Sequence, residues 1–259
     1  MRVVSCALLG AATLLLSSQA KAIELVALVD DGSLLVLATD RPAEARAVTL
    51  RGVGGRLIGI DWRPADRQLW GLSDRNDLYR IDVAGGTATL TSTLTLPFDG
   101  GAASGVDFTP QNDRLRLLGS TGQNMRVQVT LGATALDKPL AYASGDPNAG
   151  HRPAIAASGY DHNVAAAPVT MLFAIDAELD VLVRVDPPND GQLVTIGPLG
   201  VDVGPETGFE IVTGTGGVES AFVAAGGTLY TLDLSSGRAS PAGSIGGGRG
   251  SVVSLAALP

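Results

Sequence analysis

Thiols are almost absent from this sequence. Cys6 is the only cysteine in 259 residues, and it lies inside an N-terminal stretch that reads as a processing signal. Arg2 supplies a positive start, Val3 to Leu16 form an apolar run, and Ala20-Lys21-Ala22 offers the small-x-small cleavage pattern. Residues 1–22 are therefore expected to be removed, leaving a mature chain that begins at Ile23. Without Cys6 that chain has no disulfide, no thiol nucleophile and no thiolate metal ligand. An exported domain of this kind, periplasmic or extracellular, must be held by its core alone. The remaining 23–259 stretch is long enough to build one. The apolar run is shorter than the roughly 20 residues a membrane span needs, and no second run reaches that length. No span is expected in the mature chain; uncleaved anchoring by the first segment is the competing reading.

Positive charge is scarce too. Lysine and arginine number 18 against 26 acids, for a formal net charge of −8. Loss of Arg2 and Lys21 makes the balance more negative. Such a surface repels a polyphosphate backbone, which excludes nucleic acid as a partner. Lys138 is then the only lysine, which weighs against a lysine-based mechanism. The two histidines, His151 and His162, follow neither H-x-x-x-H nor H-E-x-x-H spacing, so they do not define a zinc site. Ser104 and Ser158 precede glycines without the context of a nucleophile elbow. Gly246-Gly247-Gly248-Arg249-Gly250 lacks the ending of a phosphate-binding loop and reads as a turn. Glycine, by contrast, is abundant at 34 residues, nearly twice the usual share of roughly 7%. No G-X-Y period accompanies it, and 45% hydrophobic content is too high for disorder.

What the chain does have is a repeat. Gly59-Ile60-Asp61, Gly105-Val106-Asp107, Gly159-Tyr160-Asp161 and Gly208-Phe209-Glu210 each read glycine, large apolar residue, acid, at spacings of 46, 54 and 49 residues. After each comes a short apolar run: Leu69–Leu72, Leu115–Leu118, Leu172–Ile175 and Ala221–Ala224. Then follows an alternating run: Leu78–Asp82, Met125–Val129, Leu182–Asp186 and Leu229–Asp233. Alternation of this kind is the period of a strand. After glycine-containing turns, fourth strands are expected at 88–94, 193–197 and 239–243. Amphipathic helices are missing, which argues against a parallel α/β fold. Four short strands in units of about 40–50 residues describe a β-propeller blade. Three N-terminal strands, at 25–29, 33–37 and 47–50, lack a first partner, while 252–258 is surplus at the C-terminus. Closing the ring with that last strand resolves both. The expected fold is all-β, a single β-propeller of five four-stranded blades. A sixth blade is the alternative, because 131–157 is long enough to conceal more strands.

Four segments of the chain, 52–74 (GVGGRLIGIDWRPADRQLWGLSD), 121–126 (TGQNMR), 145–150 (GDPNAG) and 187–204 (PPNDGQLVTIGPLGVDVG), resemble the bacterial family known as domain of unknown function 4394. The resemblance covers essentially the whole mature chain. It implies an exported, repetitive, propeller-like protein and brings no catalytic residues with it. The sequence departs from that family near Gly159 to Asn163, where Asp161 and His162 replace a more neutral stretch.

Propeller blades usually present their first strand to the central channel. Asp61, Asp107, Asp161 and Glu210 are then expected at equivalent places around one axis. Converging carboxylates repel unless a proton or cation intervenes, and oxygen ligands of this kind suit Ca²⁺. The competing reading is that each acid accepts backbone N–H bonds from the neighbouring blade. Gly145-Asp146-Pro147-Asn148, Asn189-Asp190-Gly191 and Asp30-Asp31-Gly32 do not match a calcium loop and read as turns. The functional expectation is a monomeric, non-enzymatic binding or interaction scaffold for a small molecule or a protein. A Ca²⁺-dependent hydrolase of the lactonase kind, using the channel acids, is one alternative; a cell-surface or matrix protein is another.

Overall fold

The computed structural model describes residues 22–246 and 250–259. The expected signal, apart from Ala22, and the middle of the glycine-rich turn at 246–250 lie outside the described residues. The first blade begins with β1 (Glu24–Val29), β2 (Leu34–Ala38) and β3 (Arg41–Val48). The second contains β4 (Leu57–Arg63), β5 (Gln68–Ser73), β6 (Asp77–Asp82) and β7 (Thr87–Thr93). In the third are β8 (Ser104–Thr109), β9 (Arg114–Gly119), β10 (Asn124–Gln128) and β11 (Ala133–Leu136). A two-residue strand, β12 (Ala141–Tyr142), precedes the fourth blade of β13 (Ile155–Tyr160), β14 (Leu172–Asp176), β15 (Val181–Val185) and β16 (Gln192–Pro198). The fifth holds β17 (Thr207–Thr213), β18 (Glu219–Ala225), β19 (Thr228–Leu232) and β20 (Ala239–Ser244). Last comes β21 (Val252–Ala257).

The protein is a five-bladed β-propeller. Strands β4, β8, β13, β17 and β21 pack next to one another in a closed ring around the axis. Each is the innermost member of an antiparallel sheet. β21 pairs with β1, Ala256 opposite Val26, so the C-terminal strand completes the N-terminal blade as expected. Closure leaves no open gap between first and last blades and removes a sheet edge that would otherwise template association. Two expectations need correction. The fourth strand of the first blade is Arg41–Val48, earlier than 47–50, because β2 turns back through a tight Thr39-Asp40 connection. The long 131–157 stretch holds no sixth blade: β11 completes the third, and β12 adds in parallel to β16 at the edge of the fourth.

Blade stacking explains the continuous apolar runs. A blade is covered on both faces, so inner strands lose the alternation of a half-exposed sheet. All six residues of β8 and of β13 are buried, whereas β3 and β7 at the rim are mostly exposed. Five apolar clusters fill the five junctions. One joins Val26 and Leu34 to Ile60 and Leu69; the next joins Trp70 and Leu72 to Phe108 and Leu117. The others centre on Leu118 with Tyr160, Ala157 with Phe209, and Phe222 with Leu25. Trp70 meets Phe108 edge-on at 6.3 Å and 68°, and the Arg63 guanidinium lies 5.6 Å from the Trp70 ring. Each fully buried Leu, Ile or Phe contributes roughly 1.5–3 kcal/mol, so the junctions hold the ring without cross-links.

The triplet glycine has a steric reason. Inner strands approach so closely that a Cβ on Gly59 would strike Val106, and one on Gly208 would lie 2.9 Å from Leu255 Cβ.

The resembling motifs are also structural. Arg116, 2% exposed, donates to Asn124 Oδ1 and Asn189 Oδ1 at 2.8 Å each and pairs with Asp137. Asn124 Nδ2 donates to Pro188 O at 2.8 Å. Third and fourth blades are thereby locked together by TGQNMR and PPNDG residues. In GDPNAG, Asp146 accepts from Thr195 N at 2.6 Å and Thr195 Oγ1 at 2.7 Å, fastening its loop to β16. Turn and docking chemistry accounts for these segments.

Candidate functional site on the propeller axis

Three of the four expected acids meet. Asp61 on β4, Asp107 on β8 and Glu210 on β17 are 1%, 2% and 1% exposed. Each offers a carboxylate oxygen, and these oxygens lie within 4.8 Å of one another. Among the described residues this is the one cluster of three or more His, Cys, Asp or Glu side chains close enough to share a metal ion.

Register explains the set. Asp61 faces Trp70 across its sheet, Asp107 faces Arg116, and Glu210 faces Phe222. The matching residue of the fourth blade faces Phe173, and it is Gly159. In the first blade it is Ala256. The axial layer therefore reads Ala256, Asp61, Asp107, Gly159, Glu210 around the ring. Two aspartates stand on adjacent blades. The glutamate stands apart from them, flanked on each side by a residue with little or no side chain. Its extra methylene helps it reach across the space those small neighbours leave.

Asp161 is not part of this layer. It follows the end of β13 by one residue, and its carboxylate accepts Met171 N at 2.6 Å within its own blade. It also pairs with His162 Nδ1 at 3.0 Å. That contact raises the His162 pKa, through the hydrogen bond first and the Asp161 charge second. The fourth triplet is slipped by two residues against the other three. Its glycine, not its acid, occupies the acid's place.

Each of the three acids accepts a bond from the next blade. Phe108 N donates to Asp61 Oδ2 at 2.6 Å, Tyr160 N to Asp107 Oδ1 at 3.0 Å, and Ala257 N to Glu210 Oε2 at 3.1 Å. Asp61 Oδ1 also accepts Trp62 N at 2.6 Å. Blade-to-blade bonding is therefore one use of these side chains. It does not exhaust them, because Glu210 Oε1 takes no bond from the next blade. The buried Asn163 side chain lies beside Glu210, and hydrogen bonding between the two helps lower the Glu210 pKa; with a proton on Glu210 or the amide turned about, the two side chains satisfy one another.

The electrostatics are unfavourable to charge. Burial pushes Asp61 up to about 8, against the pull of the Phe108 and Trp62 N–H groups. Burial, then the charges of Asp61 and Glu210, hold Asp107 well above the usual carboxylate range. Glu210 is raised by burial and then by Asp61, opposed by Ala257 N–H. Three carboxylates this close cannot all ionise in a buried place unless a positive charge joins them.

Access to this layer is narrow. On one side, the cleft bounded by Ser104, Gly105, Ser158, Thr207 and Ser254 is too small to admit a water-sized group. Beyond the other side, a cavity of about 290 Å³ opens between the C-terminal ends of the inner strands. Trp62, Asn163 and Ala257 line it, and each is the covalent or hydrogen-bonding neighbour of an axial acid.

Fold and site together define a five-bladed β-propeller with a buried tricarboxylate cluster on its axis. Residues 33–256 match the family described as Domain of unknown function (DUF4394), and the chain belongs to that family. No curated protein matches it. Among solved structures it is similar to a structural genomics protein of unknown function from Bacteroides thetaiotaomicron VPI-5482, at 16% identity and TM-score 0.53. That likeness covers 87% of this chain and 59% of the other, and it shows a shared fold. An auxiliary nutrient binding protein from the same organism matches at 14% identity and TM-score 0.46, over 76% of this chain and 55% of its own. A protein of unknown function from Bacteroides caccae matches at 13% identity and TM-score 0.41, over 85% and 72%. The chain thus spans well under two thirds of the first two. Among the described residues no helix is long and apolar enough to cross a membrane.

Proposed function

We propose that this protein is an exported binding scaffold whose axial carboxylates hold one divalent cation of the calcium class. The observation that carries the reading is the convergence itself: three buried carboxylates from three different blades whose oxygens lie within 4.8 Å of one another. The donor set consists of hard oxygens without sulfur or imidazole, which favours Ca²⁺ or Mg²⁺ over zinc. Carboxylates from three separate blades suit the flexible shell of Ca²⁺ better than the strict octahedron of Mg²⁺, which keeps several waters. Asp61, Asp107 and Glu210 would be the protein's charged ligands, drawn from three different blades. Cation binding would tie those blades together and remove the repulsion among them. Three charges against a dication leave one negative charge over, so one proton is expected to remain on the cluster.

The lactonase alternative is weaker. A hydrolytic metal needs an open coordination position and a path for substrate, and these acids are at most 2% exposed. A scaffold needs neither.

Calcium titration of the mature chain, followed by calorimetry and by melting temperature against EDTA, tests the proposal. One Ca²⁺ per chain is expected, with a rise in melting temperature. A ligand at 100 times its Kd stabilises by roughly 2.7 kcal/mol. Asp61→Asn with Asp107→Asn, or Glu210→Gln, should abolish the rise, and Asp161→Asn should preserve it. No binding and no shift would leave the acids as protonated or hydrogen-bonded struts between blades.

A further inference from the structure

The two ends of the propeller axis differ in chemistry. Where the inner strands begin, the cavities are lined by Arg56, Asp74, Asp99 and Glu206, and by Arg152 and Glu178. Where the inner strands end, Arg67 and the Pro259 carboxylate are the charges in the lining of the 290 Å³ cavity. We propose that this second end is a docking face for a neutral, zwitterionic lipid surface.

The face is built by the connections that leave the ends of β13 and β17. Residues 163–175 and 211–218 contain no charged side chain, in a chain that is 17% charged. Val164, Val169 and Met171 on the first connection are 50%, 60% and 38% exposed, and Val218 on the second is 66% exposed. Hydrogen bonds on both sides fix the first connection in place. Ala166 N donates to Pro110 O at 3.0 Å, which ties it to the third blade. His162 N donates to Glu219 Oε1 at 3.2 Å and Asn163 N to Thr213 Oγ1 at 2.7 Å, which tie it to the fifth. The segment thus bridges three blades across this end, with its valines at the surface. Clustered aliphatic exposure of this kind marks an interaction surface.

Two observations say what covers it. The first is where the chain enters. Leu258 N donates to Glu24 O at 2.8 Å, so β1 starts beside the cavity that Leu258 lines. The expected signal leads into the fold at this end. Residues 17–22, between its apolar run Val3–Leu16 and Ile23, reach at most about 22 Å. A propeller emerging behind that run turns this face, and not the charged one, towards the bilayer. The second observation is composition. Protein interfaces centre on aromatic and arginine anchors, whereas the large apolar side chains exposed here are valines and a methionine. Trp62 is half-buried in the cavity. Arg67 and the Pro259 carboxylate complement the phosphate and the ammonium of a zwitterionic headgroup. A net charge of −8 works against attraction to anionic lipid. Nearby charges are paired, Arg63 with Asp66 at 2.8 Å and His162 with Asp161 at 3.0 Å.

Flotation with phosphatidylcholine vesicles tests the proposal. The chain from Ile23 onward, which holds every strand of the propeller, should float with the vesicles, and high salt should not release it. The Val169→Asp, Val218→Asp double variant should bind at least about ten-fold more weakly, because two apolar contacts with hydrocarbon are lost. Leu90→Asp is the control: Leu90 is 55% exposed but lies on β7, the outer strand of the second blade. That variant should float like the parent, with circular dichroism showing that all three proteins are folded. Failure of the parent to float would overturn the proposal. Release by salt, or an equal loss in the Leu90 variant, would do the same. So would a dimer in light scattering that the double variant abolishes, since the face would then belong to a second copy. The measurement is made in EDTA, so that Ca²⁺ bridging to headgroups and the state of the axial cluster play no part in the outcome.

Discussion

Raising the pH in the presence of EDTA should destabilise this propeller from its axis outward. Asp61 is held at about 8 in the fold, against roughly 3.9 for an unfolded aspartate. The native state therefore keeps its proton over a range in which the unfolded chain has lost it. Stability from this group is fully present below about pH 4 and falls as pH rises, until it is gone above the folded pKa. At about 1.36 kcal/mol for each pH unit, four units amount to roughly 5 kcal/mol. That is a large part of the ~5–15 kcal/mol that holds a typical domain. Asp107 and Glu210 are raised as well, so they act in the same direction. For a domain of this size about 2–4 °C accompanies each kcal/mol, so a fall in melting temperature on the order of 10–20 °C is expected between about pH 4 and pH 8. A bound dication replaces all but one of the protons and should flatten the curve. The assay is thermal unfolding by far-ultraviolet circular dichroism at stepped pH, in EDTA and in millimolar Ca²⁺. A melting temperature in EDTA that stays level or climbs over this range would refute the electrostatic account. Parallel curves with and without Ca²⁺ would refute the cation.

Three other perturbations test the fold and the register. Gly105→Val places a branched side chain against Ser158 on the neighbouring inner strand; overpacking should cost about 1–3 kcal/mol and lower the urea midpoint. Arg116→Ala removes the buried bonds to Asn124 and Asn189 while Arg126 still holds Asp137; leaving those amide oxygens unsatisfied should cost about 1–3 kcal/mol, read by chemical denaturation. Asp161→Asn should bring the His162 titration, followed by NMR, down towards the ordinary histidine value, because the Asp161 contact is what raises it. The same change should leave the Ca²⁺-dependent part of the pH profile in place, because Asp161 lies outside the axial layer.

The architecture was legible because blade packing writes itself into the sequence. Runs such as Leu69–Leu72 and Leu172–Ile175 are apolar on both faces since both faces meet another blade. The unpaired C-terminal run had one place to go, and β21 takes it. Errors came where local signals are weak. β3 at the rim reads RPAEARAV, mostly exposed, with nothing apolar enough to mark its start. β11, four residues with none buried, left no pattern at all. β12 forms through parallel addition to a strand some 50 residues later in the chain, a contact that no short-range pattern announces.

The site was legible in kind but not in membership, and the reason is turn length. Asp61 and Asp107 each precede their cross-strand partner by the same short hairpin, so their triplets align on sight. The fourth blade connects β13 to β14 through the longer 161–171 segment. Its triplet can then slide along the chain without breaking the strand pattern, and a slip of two keeps Asp161 on the same face while carrying it past the strand end. Aligning the blades on their second strands instead, at Trp70, Arg116, Phe173 and Phe222, and counting back through the pairing would have placed Gly159 opposite Phe173. That correction changes the chemistry. A ring of four acids at four equivalent places would be a rule of the repeat, satisfied blade by blade with backbone N–H groups. Three acids with Gly159 and Ala256 between them break the repeat in the one layer where side chains from every blade converge. A structural rule would be met equally well by the same residue in every blade. An asymmetric layer with a reaching glutamate is the arrangement that the proposed single ion would use.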